Sequence, residues 1–414
     1  MQTNCPVELA DLYRHLHQNP ELSFQEHETA ALVAAELDRL GLETIRCIGG
    51  TGVVGVLRNG PGATVLLRAD MDALPVEEQT GLAYSSRARG VDPQGREVPV
   101  MHACGHDVHV TCLVGAVRAL AADPTAWSGT VVAVFQPAEE LGGGARAMVD
   151  DGLFERVPRP EVVLGQHVCP LPAGVLGVRP GPAFAASDSL RVTLHGRGGH
   201  GSRPETTVDP VVMAAAVVLR LQTVVSRELP ATEVAVVTVG SIQAGSKNNI
   251  IPDDAELLLS VRTFDNDVRD RALAAIHRIV SAEAAAAGAP REPDIEILES
   301  FPSLVNSPDA ADRVRTAFAA RFGDEVVIDP GLVTGSEDVG VLATAADAAC
   351  AYWLLGGAEP SLFGCADSAE EIAVRVRDLP SNHSPVYAPV IEPTLSRGVE
   401  TMVTAARAWL PATG

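Results

Sequence analysis

The sequence predicts an α/β protein: a mixed, largely parallel sheet covered by helices, interrupted by an inserted ferredoxin-like βαββαβ unit. Three observations lead there. Up to about residue 184, short and nearly continuous apolar runs alternate with helical spacing, as strands covered on both faces should. From Ala185 to Leu298 the strand-like runs change to one-in-two alternation. After Pro302 the helix–strand alternation resumes. The expected domains are residues 1–184, an insertion at 185–298, and 299–414 returning to complete the first.

Taken in order, Val7 to Leu16 and His27 to Leu40 carry apolar residues at helical spacing, and Gly41 closes the second helix as a C-cap. Val53–Leu57, Thr64–Arg68, Val131–Gln136 and Val162–Gly165 read as buried strands. Asp107 is placed to cap a helix through Ala122, with Val108, Cys112, Val114–Val117 and Leu120 on its apolar face. In the insertion, strand Ser189–Leu194, helix Asp209–Arg227, strands Glu233–Val239 and Ala255–Thr263, helix Val268–Ala287 and strand Asp294–Leu298 give the βαββαβ order. The tail adds helix Asp309–Phe322, strands Val326–Ile328 and Ala349–Leu355, and helix Glu392–Leu410.

At 414 residues, with 46% hydrophobic and 20% charged residues, the chain is globular and long enough for two or three cores. Its net charge of −22 argues against nucleic acid or an anionic membrane as partner. Lys247 is the only lysine, so lysine-based catalysis has one candidate. Seven scattered cysteines without a C-x-x-C pair read as reduced intracellular thiols. The first residues carry no basic segment followed by an apolar one, and the apolar stretch Val211–Leu219 is too short to span a bilayer. A soluble cytoplasmic enzyme is the expectation.

Metal-seeking side chains follow three of the buried runs: Cys104-Gly105-His106-Asp107, Gln136-Pro137-Ala138-Glu139-Glu140, and Gly165-Gln166-His167. His383 stands apart in Asn382-His383-Ser384-Pro385. In open α/β sheets chemistry gathers beyond the carboxyl ends of the strands. Cys104 and His106, two apart, suit a loop around an ion before a helix whose N-terminus favours thiolate. Adjacent carboxylates repel, so Glu139 and Glu140 make most sense divided, one holding a metal and the other acting as a base. Asp70 and Asp72 are placed to orient histidine ligands. Each group alone also fits a plain structural role: a buried thiol, a solvated Glu pair, strand-end turn residues. His102 and His109 raise the imidazole density without adding ligand spacing. In the insertion, His200 lies in a glycine-wrapped turn, Asn248 and Asn249 flank a strand, and Arg262 sits within one, where an arginine calls for an anionic partner.

These motifs resemble the M20 metallopeptidases, in the amidohydrolase subfamily of hippurate hydrolases, N-acyl-amino-acid amidohydrolases and auxin-conjugate hydrolases. The similarity runs nearly end to end, through Leu16 to Leu22, Arg68 to Pro75, Met101 to His106, Gln136 to Glu140, Gly199 to Pro204, Asn249 to Pro252, Gly335 to Asp338 and Asn382 to Pro385. The resemblance implies a di-metal catalytic domain with an inserted lid and dimerisation domain. It implies Cys104, His106, Glu140, His167 and His383 as metal ligands, Glu139 as general base, His200 as the lid histidine that reaches the partner subunit's site, and Asn249 and Arg262 as groups holding a substrate carboxylate. Where other branches have a His-x-Asp ligand motif, this chain reads Asp70-Met71-Asp72.

The implied cofactors are two divalent ions per subunit, zinc by the thiolate–imidazole set, with manganese permitted. The implied reaction is hydrolysis of N-acyl-L-amino acids to a carboxylic acid and a free amino acid by a homodimer. Its alternatives are a dipeptidase or aminopeptidase, an N-acetyl-diaminopimelate deacetylase, and a non-catalytic metal-binding protein. No Gly-x-Ser-x-Gly is present, which argues against serine hydrolysis.

Overall fold

The structure, a computed structural model, describes residues 8–364 and 368–412; Cys5 and Cys365 lie outside them. The chain forms two compact units, Met1–Gly181 with Val305–Gly331 and Asp338–Gly414, and Pro182–Leu304 with Leu332–Glu337. Its strands, in chain order, are β1 (Glu43–Ile48), β2 (Gly52–Asn59), β3 (Thr64–Asp70), β4 (Gly129–Gln136), β5 (Val162–Pro172) and β6 (Leu176–Val178). They continue with β7 (Ala186–His195), β8 (Ala235–Ala244), β9 (Asp254–Thr263), β10 (Asp294–Phe301), β11 (Val327–Ile328) and β12 (Ala349–Ala358). The helices used below are α1 (Leu9–Gln18), α2 (His27–Arg39), α3 (His106–Ala122), α4 (Gly144–Asp150), α5 (Pro210–Thr223), α6 (Asn266–Ala286), α7 (Pro308–Phe322), α8 (Val339–Ala346) and α9 (Thr394–Trp409).

The first unit is built on an eight-stranded sheet in the order β1-β2-β4-β3-β5-β12-β6-β11. The central strands β4, β3, β5 and β12 are parallel neighbours, and antiparallel pairs join β1 to β2, β2 to β4 and β12 to β6. The nearly continuous apolar runs of β3 and β4 are buried along almost their whole length, as the sequence pattern predicts. The register pairs Asp70 with Gln136, so both side chains leave the sheet at one edge. Helix α3 is enclosed from His106 through Val117 and packs on α1, α9 and β3.

Two local readings differ from the structure, and one strand had no reading. Strand β5 continues to Pro172, because pairing with β12 outlasts the apolar run, so Gln166 and His167 lie inside the strand and not after it. Edge strand β1 carries exposed polar residues and leaves no apolar signature. Asp107 does not cap α3: the cap position is Gly105, with φ of 85° and no side-chain bond, and Asp107 turns to His17. A side chain at position 105 would meet Val168 Cγ1 at 2.4 Å, so both the backbone angle and the close approach require glycine.

In the second unit four antiparallel strands in the order β8-β9-β7-β10 carry α5 and α6, the arrangement expected of a βαββαβ unit. Strand β9 alternates, burying Ala255, Leu257, Leu259, Val261 and Thr263. Asp209 and Asp265 cap the two helices by accepting from the backbone N–H groups of residues Val211 and Val212, and Asp267 and Val268. The helical run from Pro210 continues through a π turn to Glu228, long and apolar enough to cross a membrane and longer than its apolar stretch suggests. Here it turns Met213, Ala214, Val217, Leu221 and Val224 into the core shared with β7, β9 and α6.

Candidate metal centre

Four segments of the first unit converge at the carboxyl ends of β3, β4 and β5. The turn before α3 brings Cys104 and His106. The turn after β4, with Ala138 at φ 47°, brings Glu139 and Glu140. Strand β5 brings His167, and the turn at His383, φ 71°, brings that imidazole. Ligand atoms of Cys104, His106 and His167 lie within 4.8 Å of one another, as do those of Cys104, Glu140 and His383, and of His106, Glu139 and Glu140. Cys104 Sγ is 3.4 Å from His167 Nε2, Glu140 Oε1 is 3.8 Å from His106 Nε2, and Glu140 Oε2 is 3.3 Å from His383 Nε2. Glu140 thus stands between two imidazoles, one on each of its oxygens.

Around these atoms is a layer of groups that fixes them. Asp72 accepts the backbone N–H of both Glu139 and Glu140, at 3.1 and 3.0 Å, and takes the Ser23 hydroxyl at 2.6 Å. Its Oδ1 also lies 3.3 Å from His106 Nδ1, which turns Nε2 toward the carboxylates. His167 Nδ1–H donates to the Val168 carbonyl at 2.8 Å, leaving Nε2 as the lone-pair nitrogen beside Cys104. Asn382 donates to the carbonyls of Cys104 and Val168, and the His383 N–H to that of Ala103, tying the His383 turn to the Cys104 loop.

Below the cluster lies a buried ion network. Arg68 donates to Asp70 at 2.6 Å, Gln136 at 2.9 Å and Asp338 at 3.0 Å, and Asp338 also accepts from Gln136 and from the Ala145 N–H. Burial would raise the Asp70 carboxyl, but Arg68, His106 and His109 hold it well below the usual range. Burial would lower His106, yet Asp70, Asp72 and Glu140 raise it to about 10. Burial lowers His102, His109 and His167 to about 4. Cys104 corrects an expectation: burial, reinforced by Glu140, Glu139 and Asp70, pushes its thiol well above the usual value despite the helix N-terminus. A thiolate here requires a cation.

The residues fit one. With His106 Nδ1 paired to Asp72, its Nε2 and Glu140 Oε1 are buried without a hydrogen-bond partner, a costly state unless an ion lies between them. Soft thiolate, imidazole and carboxylate form a transition-metal donor set.

The other sequence-predicted residues belong to the second unit. His200 is exposed, and its Nδ1 accepts the Ser202 N–H at 3.1 Å, which leaves the ring proton of the neutral form on Nε2. Asn249 is exposed, and its carbonyl accepts the Gly201 N–H. Arg262 is half-buried and donates to the Thr334 carbonyl at 2.6 Å and to Ser336 Oγ at 3.4 Å. Sequence reasoning missed His17, buried between Asp107 at 2.6 Å and Glu78 at 3.2 Å. Burial would lower it, but these carboxylates raise it to about 10. It also missed Glu26, which accepts the Ala138 N–H at 2.9 Å beneath the Glu139 turn. Of the two, only His17 falls in a segment the sequence singles out, Leu16 to Leu22.

The chain matches the description "Peptidase family M20/M25/M40" over residues 66–381. It is 38% identical to thermostable carboxypeptidase 2 of Saccharolobus solfataricus over 80% of this chain and 81% of that one. With hippurate hydrolase of Campylobacter jejuni it shares 40% identity, over 77% of this chain and 80% of the other. Among solved structures it resembles a putative aminohydrolase from methicillin-resistant Staphylococcus aureus, at TM-score 0.82 and 30% identity, covering 97% and 96% of the two chains. It also resembles a dinuclear metal-binding M20 peptidase of Bacillus subtilis, at TM-score 0.74 and 28% identity, covering 96% of each. The chain belongs to the M20 metallopeptidase family, and its relatives place it among the amidohydrolases that hydrolyse amide bonds.

Proposed function

We propose that the protein hydrolyses the amide bond of N-acyl-L-amino acids with two divalent metal ions, in a cytoplasmic homodimer. The observation that carries the reading is the division within the Glu pair. Asp72 fixes both backbones, and Glu140 faces His106 and His383, while Glu139 is buried beside it. Cys104, His106, Glu140, His167 and His383 would hold the metals, zinc by donor softness, with manganese compatible. When bound, such ions polarise a carbonyl and lower the pKa of water from about 15.7 toward ~7.

Glu139 takes the proton of the attacking water and returns it to the leaving nitrogen. His200, its proton held on Nε2 by the Ser202 N–H, donates to the developing oxyanion. Arg262, with Asn249, receives the substrate carboxylate. In a chain of net charge −22, an anionic substrate needs such a local cation. The second unit acts as lid and dimerisation domain. In support, β8 is paired on one side only among the described residues and leaves Val236 and Ile242 about half exposed.

Relatives named as carboxypeptidases favour a second reading, cleavage of peptides, with the same metal core. One experiment separates them: metal-loaded protein is offered N-acetyl and N-benzoyl amino acids beside free dipeptides. Turnover confined to acylated substrates with a free carboxylate is expected. Cleavage of dipeptides with none of the acylated compounds would overturn the reading.

A further inference from the structure

His109 is fully buried one turn along α3 from His106, and its ring stacks on that of His106 with centroids 5.3 Å apart. By proximity alone it would join Asp70 and His106 as a metal ligand. Its hydrogen bonds say otherwise. A backbone N–H can only donate, so the Val168 N–H, 2.8 Å away, occupies the lone pair of His109 Nε2. The ring proton then lies on Nδ1 and goes to Asp70 Oδ1, while Asp70 Oδ2 is held by Arg68. Neither nitrogen remains to bind an ion.

His109 holds Val168 at its N–H, and the carbonyl of the same residue, in the next peptide unit, is what sets His167. The Val168 carbonyl receives His167 Nδ1–H at 2.8 Å and the Asn382 amide at 3.1 Å, and Asn382 in turn bonds the Cys104 carbonyl. We infer that His109 is a positioning residue: with Asp70 and Arg68 behind it, it holds Val168 by its N–H, and so places the carbonyl of that residue, which fixes the tautomer and aim of His167 and the placement of the His383 turn. The inference rests on the metal-centre reading above for His167 and adds to it a residue that touches no metal. Groups that orient ligands in this way are typically worth about 10–100-fold in metal affinity.

The test measures zinc affinity by competition with a chromogenic chelator, with thermal unfolding of the same metal-free protein as control. His109→Gln can donate one N–H to Asp70 and accept the Val168 N–H on its oxygen. It should bind zinc at full stoichiometry and near wild-type affinity. His109→Phe keeps the ring and loses both bonds, and should weaken zinc binding by roughly 10–100-fold at comparable metal-free stability. Wild-type affinity in His109→Phe would overturn the inference. So would the loss of a zinc equivalent in His109→Gln, which would make His109 itself a ligand. If His109→Phe does not fold, the Gln variant decides: retained affinity supports positioning by hydrogen bonds, and lost affinity refutes it. Wild-type protein that binds no zinc would instead sink the metal-centre reading on which this one stands.

Discussion

Strand β3 of the first unit buries every residue from Val65 to Asp70, Arg68 included, whereas β9 of the second buries every other residue and leaves Glu256 and Arg262 on its more open face. The difference follows from coverage. A sheet packed on both faces can admit an ion only inside a closed network, and here that network ends at the candidate metal centre. A sheet packed on one face lets its charges be solvated. Polar residues in the first sheet should therefore govern fold and chemistry together, and those on the open face of the second should affect one without the other.

The largest expected effect tests the chemistry of the buried side. Glu139→Gln should retain metal content and lower kcat by roughly 10²–10⁴. Equal metal loss in Glu139→Gln and Glu140→Gln, read by elemental analysis, would refute their division of roles. Next comes the network itself. Arg68→Met leaves Asp70 and Asp338 buried without their cation and should cost about 3–5 kcal/mol in chemical denaturation. Arg191→Met, which breaks ion pairs to Glu256 and Glu296 on the open face of the second sheet, should cost no more than about 1 kcal/mol. Similar costs at the two sites would erase the comparison.

The exposed His200 should show function without stability: His200→Ala is expected to lower kcat by roughly 10²–10³ and leave the unfolding midpoint in place. If each site draws its histidine from the other subunit, mixing this variant with Glu139→Gln should restore about a quarter of wild-type activity. No recovery after demonstrated subunit exchange would assign His200 to its own chain. A pH slope gives the last test. Because His17 is raised from 6.5 to about 10, its stabilisation is complete below pH 6.5 and is lost as pH rises through 10. Stability should fall by up to about 1.4 kcal/mol per pH unit across that window. His17→Gln should flatten the slope, and an unchanged slope would show that His17 does not carry it.

The same contrast explains what the sequence made legible. Continuous apolar runs and one-in-two alternation are direct signatures of two-sided and one-sided burial, so β3, β4 and the βαββαβ order could be read from residues alone. The Glu pair stood out because it follows such a run, and Cys104 and His106 because they stand two apart before a helix. What escaped were partnerships with no local spacing: His17 meets Asp107 ninety residues away, and Arg68 meets Asp338 across 270. For the same reason Asp107 looked like a helix cap, since nothing nearby in the chain shows His17 competing for it. Strand β5 outran its apolar run because its pairing with β12, not its own composition, sets its length. The raised thiol of Cys104 was not legible because a helix N-terminus is visible in sequence, whereas burial and the neighbouring carboxylates of Glu140, Glu139 and Asp70 are not.

Asp72 has a consequence for how this protein opens. The residues after β4 form only a single 3₁₀ turn, and such turns ordinarily exchange their amide hydrogens early, through local fluctuations. Here the amides of Glu139 and Glu140 both end on one fully buried carboxylate that is itself anchored by Ser23. Their hydrogens can leave only when the strand end carrying Asp72 parts from the Glu turn. In deuterium exchange these two amides should therefore persist as long as those of the central strands, making a short turn one of the last parts of the molecule to open.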